Sequence, residues 1–155
     1  MHKLYPDYKL VIYGDGPQRK ELEELSKELG IEESVEMPGY VSLIGDKIYN
    51  SSVFVLSSEF EGIPNALMEA MALGVPCVAT DCPVGGPRYL IENMVNGILI
   101  NMNDKSEMLK AIEYLLANPL QADKMGQRAK RIKEELSPCR IYSMWETYLE
   151  NMTRS

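Results

Sequence analysis

The sequence has little of what disulfide-rich, metal-binding or membrane-spanning proteins require. Its three cysteines, Cys77, Cys82 and Cys139, are odd in number, and together with the single histidine, His2, they lack the spacing of a zinc site. Neither a disulfide framework nor a metal site is predicted, and the compartment is expected to be reducing. No apolar run approaches the roughly 18 to 20 residues of a spanning helix, and the N-terminus has no signal-peptide pattern. We therefore expect a cytoplasmic protein.

Basic charge is also scarce. Sixteen Lys and Arg residues stand against 23 Asp and Glu residues, which gives a net charge of −7. This is the wrong sign for a protein that binds nucleic acid mainly through phosphates. The densest basic stretch places Lys124, Arg128 and Arg131 at helical spacing. A solvated helix face is the preferred interpretation, and peripheral contact with the inner face of an anionic membrane is the alternative.

What is present is the composition of a compact domain. The chain has 155 residues, 45% of them apolar and 25% charged, so a real core is expected. Predicted strands cover residues 8–14, 34–39, 52–58, 76–80 and 96–100. Predicted helices cover residues 18–30, 43–50, 64–73, 105–117, 121–135 and 141–151. This alternation predicts an α/β fold, a parallel sheet with helices on both faces, in which the first strand is buried. Leu22, Leu25 and Leu29 share one face of the first helix.

The most informative stretch is EFEGIPNALMEAMALGVP, residues 59–76, in a loop that follows a predicted strand. In open parallel sheets, ligands bind beyond the carboxyl ends of the strands. Pro64 suits the first position of a helix, and free N–H groups around residues 65–67 would then form a site for phosphate. Gly62 lets a ligand approach the backbone closely. Glu61 would be repelled by phosphate, so it is better suited to accept hydrogen bonds from sugar hydroxyls.

Glu69 could accept hydrogen bonds from a ribose diol in the same way. Spacing alone leaves an equal alternative, in which Glu61 is a solvated loop residue and Glu69 a surface helix position. The GDGP stretch does not follow the G-x-G-x-x-G pattern, so an ordinary turn is preferred there over a phosphate-binding loop. VGGPRYL is interpreted as a turn before a helix.

Taken in order, KLVIYGDGP, VEMPGYV, VFVLSSEFEGIPNALMEAMALGVPCVATD and NGILI resemble the C-terminal half of the GT-B-fold, family 4 retaining glycosyltransferases. The resemblance runs from about Tyr8 to the C-terminus. It implies a Rossmann-like nucleotide-sugar-binding domain spanning residues 1–155 and lacking its first strand and the acceptor domain. The family's strand order resembles 3-2-1-4-5-6, so the strands at KLVIY and VFVL would each lack one neighbour. We expect self-association to compensate, with internal re-pairing as the alternative.

The resemblance also implies a role for each matching residue. Glu61 would contact the donor sugar, as the catalytic glutamate, and Glu69 the nucleotide ribose. Further donor-binding positions are Gly62, Ile63, Asn65, Ala66, Gly14, Asp15, Gly16, Pro38, Gly39, Tyr40 and Val41. The donor would be a nucleotide sugar, and no metal or other cofactor is expected.

Two departures from the family pattern bear on activity. The cationic residues that neutralise the diphosphate in the family would lie upstream of Met1, so this chain alone is expected to transfer no sugar. Tyr89 stands after Arg88 where many relatives carry a glutamate.

DCPVGGPRYLI resembles relatives that use UDP-linked donors in bacterial surface polysaccharide synthesis, with glycan or lipid-linked acceptors. The alternatives are a non-transferring relative such as a UDP-N-acetylglucosamine 2-epimerase, and a non-catalytic nucleotide-sugar binding module.

Overall fold

A computed structural model describes residues 4–153, and its chain divides after Ile44 into two compact units, residues 1–44 and 45–155. His2, weighed above as a metal ligand, lies outside the described residues.

The first unit is a strand–helix–strand element. Strand β1 (Leu10–Tyr13) is followed by helix α1 (Arg19–Glu28), a short 3-10 helix (Glu32–Ser34) and strand β2 (Val35–Gly39). The two strands pair in parallel, with Leu10 opposite Val35, as the crossover through a helix requires. Arg19 holds the connection because its guanidinium donates to the Met37 carbonyl at 2.7 Å and to Glu23 at 2.9 Å.

The prediction that β1 is buried is wrong for these residues. Leu10 is 51% exposed, and on α1 the predicted leucine face is exposed as well, with Leu29 at 62%. One helix and a two-stranded sheet cannot cover both faces of β1 within this unit, so apolar side chains stay in contact with solvent.

The second unit has a three-stranded parallel sheet in the order β3-β4-β5. Its strands are β3 (Phe54–Leu56), β4 (Cys77–Thr80) and β5 (Ile98–Ile100). Its helices are α2 (Gly45–Ile48), α3 (Asn65–Leu73), α4 (Gly86–Leu90), α5 (Lys105–Ala117), α6 (Pro119–Ala129), α7 (Ile132–Glu135) and α8 (Pro138–Thr153). All four residues of the central strand β4 are buried.

The core of this unit lies between the sheet and the helices α5 and α6. Its buried members are Val78, Ile98, Ile100, Ala111, Leu115, Ala122 and Met125. Each large aliphatic side chain buried here stabilises the fold by about 1.5–3 kcal/mol. Helix α3 contributes Leu67, Ala70 and Met71, which are almost fully buried. The sheet and α3 are thereby fixed as a rigid support for the loops at their ends.

The predicted α/β class is confirmed, and all predicted strands and all but one of the predicted helices are present, with changes in their bounds. The helix predicted over residues 121–135 is instead divided into α6 and α7. The N–H groups of Arg131 and Lys133 bond to carbonyls three residues earlier, at 3.2 and 3.1 Å. The chain therefore tightens between the two helices and turns Ile132 into the interior, where it is 7% exposed.

Within each unit, the strand pairings agree with the neighbours expected from the order 3-2-1-4-5-6. In the sheets formed by residues 4–153, β1 has β2 as its strand partner and β3 has β4. These pairings match positions 2–3 and 4–5–6 of the expected order. The structure does not test self-association, which stays a prediction.

Helix α8 is longer than predicted and has no buried residue. Proline at its first position is compatible with a helix start, because the missing N–H would be unpaired there anyway. Trp145 and Tyr148 pack edge to face on its surface, with ring centroids 5.9 Å apart. Within residues 4–153, none of the helices has both the length and the apolar character that crossing a membrane requires.

Candidate functional site

The candidate site of the second unit is built where β3 and β4 end and α3 begins. Helix α3 starts at Asn65, one residue later than predicted, and Pro64 is its N-cap with extended backbone (φ −76°, ψ 113°). The Pro64 carbonyl accepts the first helical hydrogen bond, from Met68 N–H at 3.1 Å. The N–H groups of Asn65, Ala66 and Leu67 therefore precede the helical bonding pattern. These N–H groups and the positive end of the helix dipole favour an anion.

Glu61 is held by both its side chain and its backbone. Its carboxylate accepts a hydrogen bond from the Ser58 hydroxyl at 2.8 Å. Its N–H donates to the Pro83 carbonyl at 2.8 Å, and its own carbonyl accepts from Val84 N–H at 2.9 Å. Glu61 is half-buried. These contacts disfavour the alternative of a freely solvated loop residue, because the carboxylate is oriented before any ligand binds.

Glu69 has a different setting. It is exposed on α3, four residues after Asn65, so both residues lie on the same face of the helix. This position is compatible with a ribose diol beside the helix N-terminus, and equally with a solvated surface carboxylate. Ile63 and Asn65, also predicted to contact the donor, are exposed, and Ala66 is half-buried.

The loop after β4 is closed by an ion pair. Arg88, in α4, donates to both carboxylate oxygens of Asp81, at the end of β4. The hydrogen bonds and the charge of Asp81 raise the pKa of Arg88. Tyr89, the departure from the family pattern, is 69% exposed. On the buried side, Thr80 donates its hydroxyl to the Ser58 carbonyl, which ties the end of β4 to the Glu61 loop.

The predicted donor-binding residues of the first unit lie in two loops that contact each other. Gly14 adopts a left-handed backbone (φ 111°), and its N–H donates to the Gly39 carbonyl at 2.8 Å. Asp15 accepts from Gly16 N–H at 3.0 Å, which shapes the turn. The remaining predicted positions follow β2 or end it, at Pro38, Gly39, Tyr40 and Val41, and Tyr40 is 82% exposed.

The three cysteines differ in their exposure. Cys77 and Cys82 are buried, and burial raises the pKa of the Cys77 thiol to about 12. Cys139 is exposed, and all three thiols are free. The part of the chain that the structure describes contains no group of three or more His, Cys, Asp or Glu residues that could hold a metal ion.

The family model for glycosyl transferases group 1 matches residues 1–132. The chain belongs to this glycosyltransferase family. The match covers both units' candidate loops, and the resemblance to family 4 of the GT-B fold is confirmed.

Curated relatives extend well beyond this chain. An uncharacterized glycosyltransferase of Haemophilus influenzae is 34% identical over 147 residues, which is 95% of this chain and 41% of the relative. The lipopolysaccharide 1,6-galactosyltransferase of Salmonella typhimurium is 40% identical over 97 residues, which is 60% of this chain and 27% of the relative. The chain thus spans less than half the length of these two relatives.

Solved structures share the fold. HepE of Anabaena, in complex with UDP, superposes with a TM-score of 0.87 at 22% identity, over 94% of this chain and 42% of that one. A mutant of TarM from S. aureus, in complex with Fondaparinux, alpha-GlcNAc-glycerol and UDP, gives 0.86 at 27% identity, over 96% and 30%. The likeness to HepE concerns the fold alone.

Sequence reasoning missed the residues that support the site. Ser58 and Thr80 are ordinary residue types at ordinary spacing, so no sequence signal marks them. Asp81 and Arg88 lie in the stretch DCPVGGPRYLI, but nothing in that stretch predicts that they form an ion pair. Gly85 and Gly86 lie in the same stretch, and the sequence predicts a turn there but not the contact of Gly86 with the Glu61 loop.

Proposed function

We propose that this chain is the donor-binding part of a glycosyltransferase that takes a sugar from a UDP-linked donor, with retention of configuration. The acceptor would be a glycan or a lipid-linked glycan in bacterial surface polysaccharide synthesis. The observation that carries the proposal is the arrangement at α3. The N–H groups of the first helical residues precede the helical hydrogen bonds, the carboxylate of Glu61 just before them is oriented by Ser58, and the carboxylate of Glu69 is exposed on the helix.

This arrangement separates the chemical tasks. The helix N-terminus suits the diphosphate, because its N–H groups and dipole favour negative charge. Glu61 and Glu69 suit hydroxyl donors, since a carboxylate only accepts hydrogen bonds. Glu61 would hold the sugar and Glu69 the ribose, so the protein would act mainly by positioning and electrostatics. For Gly14, Asp15, Gly16 and residues 38–41, the proposal rests on the resemblance.

The names of two matched proteins support the choice of donor and pathway. The relative from Salmonella typhimurium is a lipopolysaccharide 1,6-galactosyltransferase. The TarM structure contains UDP. Both facts concern those proteins, and for this chain they motivate UDP as the first nucleotide to test.

Titration of the chain with UDP and with UDP-glucose, followed by NMR because weak binding is expected, tests the proposal. Glu69→Ala should weaken binding of both ligands, by roughly 10- to 100-fold for a lost charge-assisted hydrogen bond. Glu61→Ala should weaken UDP-glucose more than UDP, since its proposed partner is the sugar. Glu134 is an exposed carboxylate on α7, and Glu134→Ala is therefore the matched control. This variant should bind both ligands as the wild type does.

Wild-type binding by both variants would reject the site and favour two solvated surface carboxylates. Sugar transfer by the chain alone would contradict the expectation that it binds the donor without transferring it. Binding with no transfer by any longer form of the protein would favour a non-catalytic binding module.

A further inference from the structure

The loop after β4 and the first residue of α4, together residues 82–86, lie directly against the Glu61 loop. Two backbone hydrogen bonds join them in opposite directions, Glu61 N–H to the Pro83 carbonyl and Val84 N–H to the Glu61 carbonyl. Glu61 is therefore bonded through both of its backbone polar groups to one short segment. A displacement of that segment would move Glu61 with it.

Gly86 lies against the backbone of the Glu61 loop. It is buried, and a Cβ atom added to it would lie 1.4 Å from the Gly62 carbonyl oxygen and 2.5 Å from the Gly62 carbonyl carbon. Both of these atoms belong to the backbone, so no change of rotamer can relieve the overlap. Any residue other than glycine at position 86 must push the segment 61–63 away.

The surrounding contacts make the loop after β4 a firm support. The ion pair between Asp81 and Arg88 closes the loop across its two ends. Thr80, the buried last residue of β4, donates to the Ser58 carbonyl, and Ser58 in turn donates to the Glu61 carboxylate. The position of Glu61 thus depends on the buried sheet through a short series of direct contacts.

We propose that Gly86 is a positioning residue for donor binding. Because it has no side chain, the loop after β4 can pack against the Glu61 loop and fix the position of Glu61 relative to the N-terminus of α3. The link to the donor rests on the proposed function. The positioning itself rests on the contacts among residues 58–63 and 80–88. If the role of Gly86 were purely structural, its substitution would destabilise the whole unit equally and would not affect the Glu61 loop more than the rest.

The chain offers matched controls for Gly86→Ala. At Gly126 an added Cβ would lie 2.0 Å from the Gly74 carbonyl oxygen, so Gly126→Ala introduces a comparable backbone overlap at the opposite end of α3. At Gly45 an added Cβ would meet only the Leu73 Cδ1 atom at 3.7 Å, an ordinary contact. Gly45→Ala therefore controls for the glycine-to-alanine change itself.

The experiment measures hydrogen exchange of the Glu61 and Val84 amides, thermal stability, and the affinity for UDP-glucose. Gly86→Ala should lower the protection of both amides and weaken UDP-glucose binding, each by about tenfold for the loss of these hydrogen bonds. Gly126→Ala should lower the melting temperature. The protection of the Glu61 and Val84 amides, compared with that of amides in the core, should stay as in the wild type. Gly45→Ala should change none of the three measurements.

Unchanged protection in Gly86→Ala, or an equal loss in Gly126→Ala, would overturn the proposal. If Gly86→Ala does not fold, Arg88→Gln takes its place, because it opens the exposed ion pair without adding an overlap. It should still reduce protection at Glu61 and Val84, and wild-type protection there would overturn the proposal. If the wild type binds no UDP-glucose, the proposed function fails, while the exchange data still decide whether Gly86 positions Glu61.

Discussion

The hydrogen bond from Ser58 to Glu61 allows a sharp test of how the candidate site recognises a sugar. Ser58→Ala removes the hydroxyl that donates to Glu61 at 2.8 Å and leaves the backbone bonds of Glu61 intact. The carboxylate keeps its charge but loses its fixed orientation. Binding of the sugar should suffer, whereas binding of the nucleotide should not.

The size of the effect follows from the setting of this bond. A hydrogen bond to a charged group contributes about 1.5–3 kcal/mol. Ser58 and Glu61 are both half-buried, so water can replace part of the lost interaction. We therefore expect a loss of about 1 kcal/mol, or about a fivefold weaker affinity for UDP-glucose.

The assay compares UDP-glucose with UDP for each variant under the same conditions. Ser58→Ala should lower the affinity for UDP-glucose and leave that for UDP unchanged, and Ser58→Thr should restore the wild-type ratio because it keeps the hydroxyl. Ser57→Ala, at the exposed neighbouring position, serves as the control. A wild-type ratio in Ser58→Ala, or an equal loss for both ligands, would refute the reasoning.

Three further predictions concern stability and assembly. Burial raises the pKa of Cys77 from 9.0 to about 12, so the thiol of the unfolded chain loses its proton first as pH rises, and the free energy of unfolding should fall between these values by up to about 1.4 kcal/mol per pH unit. In urea unfolding at pH 8 and pH 10, the fall in the free energy of unfolding should be smaller for Cys77→Ala than for the wild type. An equal fall in both proteins would contradict the raised pKa of Cys77. Asp104 caps α5 by accepting from Glu107 N–H at 2.8 Å, and Asp104→Ala should cost about 1 kcal/mol in the same unfolding assay, with wild-type stability as the contrary result. Among residues 4–153, β1 and β3 each pair with a strand on one side, and Leu10 is exposed, which predicts a dimer or larger species by light scattering at micromolar concentration. A monomer in which residues 10–13 are protected from hydrogen exchange would indicate internal re-pairing instead.

Local patterns in the sequence were sufficient for most of the secondary structure and for the location of the candidate site. The β-rich runs and the amphipathic runs alternate, and this alternation predicts parallel strands joined by helices. Gly74 marks the end of α3, where it adopts a left-handed backbone (φ 83°) that favours glycine. The E-x7-E stretch placed Glu61 and Glu69 around a helix start, because that information lies within a few consecutive residues.

Contacts between distant residues were decided only by the tertiary structure. Thr80 meets Ser58 across 22 positions of the chain, and Gly86 meets Gly62 although a helix and a strand separate them. The division between α6 and α7 and the exposure of Leu10 likewise depend on which surfaces are available for packing, which no local pattern encodes. Sequence spacing could therefore name Glu61 as a candidate, whereas the reason that its carboxylate is oriented lies in the neighbouring loop that the sheet brings against it.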